Sequence, residues 1–240
     1  MIDTHCHLLH GLDDGPASLE QAQALARLLY EQGVEAVVCT PHWSRRFRSV
    51  WEEILTATSL LETELSRLGI PLVLTPCSEL SPAAAVTEPL EQIAARSIGG
   101  RYTIVEVVSD TPAPFFAVVV QRLAEAGLVP VLAHPERSRS IQRDPGPLEA
   151  ARLAGALVQI VAPSLLGRWG RPTAETAWAL VERGTADLLA SDAHGTHRRR
   201  PRLHEAAAAV ATRVGRERTA ELTVSGPRRL LEAAPARRAS

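Results

Sequence analysis

The stretch Met1-Ile2-Asp3-Thr4-His5-Cys6-His7-Leu8-Leu9-His10-Gly11-Leu12-Asp13-Asp14-Gly15 decides how this chain is read. Side chains on a strand alternate with period two. A strand that runs out in His-x-His therefore presents two imidazoles on one side of the pleat. With Asp13 and Asp14 just beyond, the segment carries the mixed nitrogen and oxygen donors that divalent cations take. A metal-dependent hydrolase is the expectation, and the rest of the sequence has to supply the remaining ligands.

Short strand-like runs alternate with amphipathic stretches along the chain. The strand candidates are Ile2–His5, Ala36–Thr40, Leu72–Cys77, Tyr102–Val107, Val129–His134, Ala156–Val161 and Ala186–Ser191. Helices fall between them. One is Leu19–Gln32, opened by a Ser18 cap and stopped at Gly33; another is Ala117–Ala126. About seven successive βα units predict a parallel barrel or a closely related α/β fold, with its active site at the C-terminal ends of the strands. No Gly/Ser-rich or Pro-rich linker interrupts the chain. One domain over residues 1–232 is expected, followed by a flexible tail, Ala233–Ser240.

Nine metal-type residues fall where those strands end: His5, His7, Asp14, His42, Glu79, Glu106, His134, Asp192 and His194. Six of the seven predicted strands deliver at least one of them to the same rim, whereas chance would scatter them over helices and loops. The strand ending at Val161 delivers only Gln159, a poor metal ligand. Glu106, flanked by Ile104, Val105, Val107 and Val108, is the most telling single residue. An unpaired buried carboxylate costs several kcal/mol, so a cation belongs beside it. Asp3 and Asp13 are read as acceptors that orient imidazoles or cap turns. A lone His is more often a satisfied core or surface group than a ligand, and His10, His197 and His204 are left in that class.

Composition narrows the chemistry. The chain has 240 residues, is 45% hydrophobic and carries a formal net charge of -1, so it can bury a sizeable core and lacks a global basic field for nucleic acid. All 26 basic residues are Arg. Without Lys there is no Schiff-base chemistry and no Walker-type phosphate loop. Cys6, Cys39 and Cys77 have no close pairing, which suits reduced thiols. No run reaches the length of a membrane span, and a cleaved leader would remove the first ligands, so a cytoplasmic protein with no membrane insertion is expected.

In order, the segments His5-Cys6-His7, Asp13-Asp14-Gly15, Thr40-Pro41-His42, Ser78-Glu79, Ile104-Val105-Glu106, His134-Pro135-Glu136-Arg137 and Ser191-Asp192-Ala193-His194 resemble the PHP (polymerase and histidinol phosphatase) superfamily. Within it they are most similar to the manganese-dependent protein tyrosine phosphatases of bacterial capsule and exopolysaccharide loci. His-x-His alone is weakly specific; the ordered set is strong and spans nearly the whole chain. The resemblance implies a single-domain distorted (β/α)7 TIM-like barrel in which the nine residues above are ligands to three divalent ions, with Mn favoured and Fe, Zn or Co compatible. It puts phosphate-binding arginines, counted as catalytic, at Arg137 and, by spacing, Arg199. Arg198 and Arg200 are adjacent, and Arg200 is included among the substrate-binding residues. The implied reaction is hydrolysis of phosphotyrosine in proteins by a metal-bridging hydroxide. The implied partner is a phosphotyrosine-bearing protein such as a bacterial tyrosine kinase tail. His10 stands where the family commonly has Pro, and Cys77-Ser78-Glu79 where it has a Gly-Ala-Glu-like segment; both departures spare the ligands.

Cys39-Thr40-Pro41-His42-Trp43-Ser44-Arg45 also fits Cys-x5-Arg, the signature of cysteine-dependent tyrosine phosphatases. Such a loop aims a run of backbone N–H groups at phosphate, and Pro41 removes one of them. His42 is already explained by the metal pattern, so Cys39 is read as a core residue. Other readings are a PHP phosphatase or phosphodiesterase acting on histidinol phosphate, a sugar phosphate or a nucleotide, and a non-catalytic metal-binding regulator of a kinase. An amidohydrolase-type barrel ranks low, because many of those need a carboxylated Lys.

Overall fold

The structure is a computed structural model, and it describes residues 1–232. The predicted tail Ala233–Ser240 lies outside the described residues. The fold is α/β with parallel strands. One sheet holds β1 (Ile2–Cys6), β2 (Ala36–Cys39) and β4 (Val73–Pro76) in the order β1-β2-β4. The other holds β3 (His42–Trp43), β5 (Glu79–Leu80), β6 (Tyr102–Glu106), β7 (Val129–Ala133), β8 (Leu157–Val161) and β9 (Leu188–Ala190) in the order β3-β5-β6-β7-β8-β9. Every strand pair is parallel.

Each of the seven predicted strands appears, but two are longer in effect than the sequence suggested. β3 continues the line of β2, and β5 continues β4, across breaks at Thr40-Pro41 and Cys77-Ser78. Proline has no N–H to give a ladder, so the regular pattern stops at Pro41; at the second break Ser78 N–H turns away to Arg96 O at 3.1 Å. Hydrogen bonding nonetheless carries across the breaks: Cys77 N–H donates to Cys39 O at 2.9 Å and Glu79 N–H to Pro41 O at 3.1 Å. At the other edge, Asp192 N–H donates to His5 O and His7 N–H to Ala193 O, both at 2.9 Å. Register between β1 and β2 shifts between Asp3 and Cys6, the mark of a bulge that re-aims side chains near the end of the strand.

Helices cover the outside. In α1 (Leu19–Glu31), Ser18 caps the first turn by accepting from Gln21 N–H, and Ala22, Leu25, Ala26 and Leu29 form the buried stripe. Gly33 follows with φ 80, so the predicted stop is sound. The helix expected over Ala117–Ala126 instead runs Pro114–Ala124, because Pro114 at its first position has the helical φ already set. β1 and β2 are buried along their whole length, as parallel strands covered on both faces must be. Among the described residues, no helix is long and apolar enough to cross a membrane.

Candidate metal centre

The C-terminal ends of the strands bring all nine predicted residues together. Four groups, each with its ligand atoms within 4.8 Å of one another, account for them: His7, Asp14, His42 and His194; His5, His134 and Asp192; His5, His7 and Glu79; and His42, Glu79 and Glu106. His5, His7, Glu79, His134, Asp192 and His194 are buried, whereas Asp14 is 46% exposed and sits at the mouth.

Backbone geometry shows what holding them there costs. Among the described residues, three non-glycines have positive φ: His134, Asp192 and Arg199, at 41°, 52° and 50°. All three belong to the predicted site. A left-handed backbone is uncommon for residues with a Cβ and clusters where function demands it. At His134 and Asp192 this turn also ends the strand, so β7 and β9 stop at Ala133 and Ala190, short of the predicted limits.

The imidazoles are oriented one by one. His5 donates from Nδ1 to Gln159 Oε1 at 2.9 Å, and His7 donates from Nδ1 to Asp13 Oδ2 at 2.5 Å. His134 Nδ1 faces Val107 O at 3.3 Å, and His194 Nδ1 faces Asp192 O at 3.1 Å. A neutral imidazole that donates from Nδ1 keeps its lone pair on Nε2. Four Nε2 lone pairs thus point inward. Those of His5 and His7 lie 3.3 Å apart, that of His134 is 3.0 Å from Glu79 Oε1, and that of His194 is 3.2 Å from Asp14 Oδ1. Lone pairs facing one another and facing carboxylates repel unless a proton or a cation stands between them. The donor set therefore fits divalent cations.

Charge tells the same story. Burial by itself would depress His5 and His42, yet the Glu79 carboxylate beside them lifts each to about 9. Burial would raise Glu79, but His5, His134 and His42 around it hold it well below the carboxylate range. Asp192 is likewise held down against burial, chiefly by Arg199 and His5. Burial, then the nearby Glu79, pushes Glu106 up to about 7. Burial and the His7 charge take His194 down to about 4.

Asp13 does more than its sequence reading suggested. It accepts from His7 Nδ1, from His42 N–H at 2.9 Å and from Gly15 N–H at 2.9 Å, tying two strand ends to one loop. Gly15 makes this loop possible: a Cβ there would lie 2.5 Å from His7 O. Asp3, in contrast, orients no imidazole. Its Oδ1 accepts from the backbone N–H groups of Ser191, at 2.9 Å, and His5, at 3.3 Å. Gln159 is the functional residue that the sequence reading passed over. Its amide carbonyl fixes the His5 ring while its Nε2 is anchored on Thr4 Oγ1 at 2.8 Å. The available signal was an amide in the middle of an otherwise apolar strand.

Two guanidinium groups close on Asp192. Arg137 Nη1 donates to Oδ2 at 3.2 Å, and Arg199 Nη2 donates to Oδ1 at 2.8 Å and to Oδ2 at 2.9 Å. Arg200 does not join them; its Nη2 is bound to Glu205 at 2.8 Å, and the residue lines a neighbouring hollow with Arg202. Arg198, His197 and His204 are exposed. Cys6, Cys39 and Cys77 are buried and free. Burial pushes the Cys39 thiol far up, so it offers no thiolate.

A family model for capsular polysaccharide synthesis, CpsB/CapC, matches residues 1–232. The tyrosine-protein phosphatase YwqE of Bacillus subtilis is 30% identical over 208 residues, covering 86% of this chain and 82% of the relative. The tyrosine-protein phosphatase CpsB of Streptococcus pneumoniae is 26% identical over 238 residues, covering 96% of this chain and 98% of the relative. A crystal structure from work on YwqE and CpsB, described as unique metal-dependent tyrosine phosphatases, superposes with a TM-score of 0.89 at 29% identity, covering 98% of this chain and 96% of that one. With a family model matched over residues 1–232 and a relative 30% identical over most of both chains, the chain belongs to the CpsB/CapC capsular polysaccharide synthesis family.

Proposed function

We propose that this chain is a metal-dependent protein tyrosine phosphatase that hydrolyses phosphotyrosine in proteins. The observation that carries the reading is the set of inward Nε2 lone pairs on His5, His7, His134 and His194, packed around Glu79 and Asp192. We assign all nine residues as ligands to three divalent ions. In support, the four groups overlap through His5, His7, His42 and Glu79, so the nine side chains form one continuous cluster, in which the two oxygens of the Glu79 carboxylate could serve neighbouring ions. The absence of thiolate among the donors suits Mn, with Fe, Zn or Co able to substitute. When bound, such ions make a nucleophilic water available near neutral pH and offset phosphoryl charge.

The chain's own groups do the rest. Arg137 and Arg199 take the phosphoryl oxygens with planar paired donors, exchanging their present contacts with Asp192. Asp13 and Gln159 keep the His7 and His5 rings turned inward. A phenolate leaves readily, so the reaction makes little demand for a proton donor. Residues 1–232 act as one domain, and the two sheets form one distorted seven-stranded barrel. The ladder contacts across Pro41 and between β1 and the Asp192–Ala193 segment support that closure.

The proposed substrate is the phosphorylated tail of a bacterial tyrosine kinase in capsule or exopolysaccharide synthesis, and the setting is cytoplasmic. Supporting this are the family's description, the tyrosine-phosphatase names of the relatives and three buried free thiols. Turnover of a phosphotyrosine peptide tests the assignment. His134→Ala and Asp192→Ala should each lower kcat by about 10²-fold or more through lost charge stabilisation. Near-normal turnover in either would refute it.

A further inference from the structure

One cavity opens directly off the metal centre. It has a volume of about 390 Å³ and shares Glu106, His134 and Arg137 with the centre. Trp169 forms one wall, held in a turn between Gly167 and Gly170, which have φ of 72° and 89°. The indole is 41% exposed, so it is no core residue. It is nonetheless pinned: the Arg137 guanidinium lies 4.6 Å from its ring centroid, and the same guanidinium reaches Asp192. The ring is therefore held beside the group assigned to phosphate. Val108 and Pro172 add apolar wall, and Ser109 and Arg139 stand at the rim. Arg139 is exposed, and among the described residues its guanidinium has no carboxylate or carbonyl partner, since only its backbone N–H is used, on Ser109 O at 2.9 Å.

Resting on the tyrosine phosphatase reading, we propose that this cavity is the leaving-group pocket: the phenolic ring packs against Trp169, and Arg139 pairs with an acidic residue next to the phosphotyrosine. An exposed indole gains contact when a second ring covers it, and aromatic pairs gain more than their area alone provides. A rim guanidinium without a protein partner breaks no existing ion pair on meeting a carboxylate, and it steers acidic chains toward the site. The cavity is large enough for one side chain with its adjoining main chain, at the small end of ligand sites. On the other side of Trp169 lies a smaller hollow of about 240 Å³, lined by Arg168, Arg199, Arg200 and Arg202. Pro163, Trp169 and His197 complete its lining, and the four guanidinium groups among these seven side chains favour an anion there.

The test compares kcat/KM of the metal-loaded protein on three substrates: a phosphotyrosine peptide with an acidic neighbour, the same peptide with a neutral neighbour, and glycerol phosphate. Dividing each variant's aryl-to-alkyl ratio by that of the wild type cancels the intrinsic difference in leaving groups. Trp169→Leu and Ser109→Trp, the second filling the cavity from its exposed rim, should each lower the ratio by about tenfold. Arg139→Ala should remove the preference for the acidic peptide by about fivefold while sparing the neutral one. Arg168→Ala, in the other hollow, should leave the aryl-to-alkyl ratio unchanged. Parallel losses on aryl and alkyl substrates in Trp169→Leu and Ser109→Trp would overturn the proposal, as would no change in either or a fall of the ratio in Arg168→Ala. A wild-type protein that cleaves glycerol phosphate but no phosphotyrosine peptide would instead remove the tyrosine reading underneath.

Discussion

Asp13 is placed to orient the candidate metal centre without being one of its nine ligand-type residues. Its carboxylate fixes the His7 tautomer and holds the backbone of His42 and Gly15. Asn keeps one acceptor oxygen but loses the charge that strengthens the hydrogen bond to the imidazole. Asp13→Asn should weaken metal affinity by about 10–100-fold, as substitutions behind a ligating His commonly do. Titration of metal into stripped protein, followed by calorimetry, checks this; affinity within twofold of the wild type would refute the orienting role. The nine ligand-type residues were legible in the sequence because their chemistry is rare at strand ends. Gln159 was not, since an amide is a poor ligand and its value lies in a partner 154 positions away. Trp169 was equally hidden, because nothing local places an aromatic in a Gly-flanked turn beside Arg137.

Strand and loop geometry then set what those residues can reach. Six predicted strands delivered the site, and the period-two argument for His5 and His7 held even though a bulge lies between Asp3 and Cys6. The boundaries were less legible. Pro41, which has no N–H to donate, divides β2 from β3, and Ser78, whose N–H goes to Arg96 O, divides β4 from β5, breaks that hydrophobic pattern does not register. Left-handed turns at His134 and Asp192 cut β7 and β9 short. The loop from Leu8 to Pro16 is the most exacting element. At Gly15 a methyl group would meet His7 O at 2.5 Å, which forces the loop away from the strand it braces. Gly15→Ala should destabilise the fold by about 1–3 kcal/mol, an overpacking cost. Chemical unfolding measures this, and an unchanged midpoint would show that the loop is not held against β1.

Taken whole, the molecule concentrates buried charge at one end of a parallel sheet. His5 and His42 are both lifted to about 9 against burial by Glu79, so with no ion bound these rings hold protons at the nitrogens that would face one. That arrangement is expensive unless divalent ions repay it, which is why the site and the fold have to be read together. The α/β class and the convergence of strand ends followed from the alternation of runs along the sequence. The hydrogen bonds that join β1 to the Asp192–Ala193 segment did not, because they link residues far apart in the chain. The most direct measurement is phosphate release from a phosphotyrosine peptide by protein stripped of metal, then resupplied with Mn, with Cys39→Ser run alongside. Activity should vanish on stripping, return with Mn and survive Cys39→Ser. Full turnover in the stripped protein, or its loss in Cys39→Ser with metal present, would contradict the account.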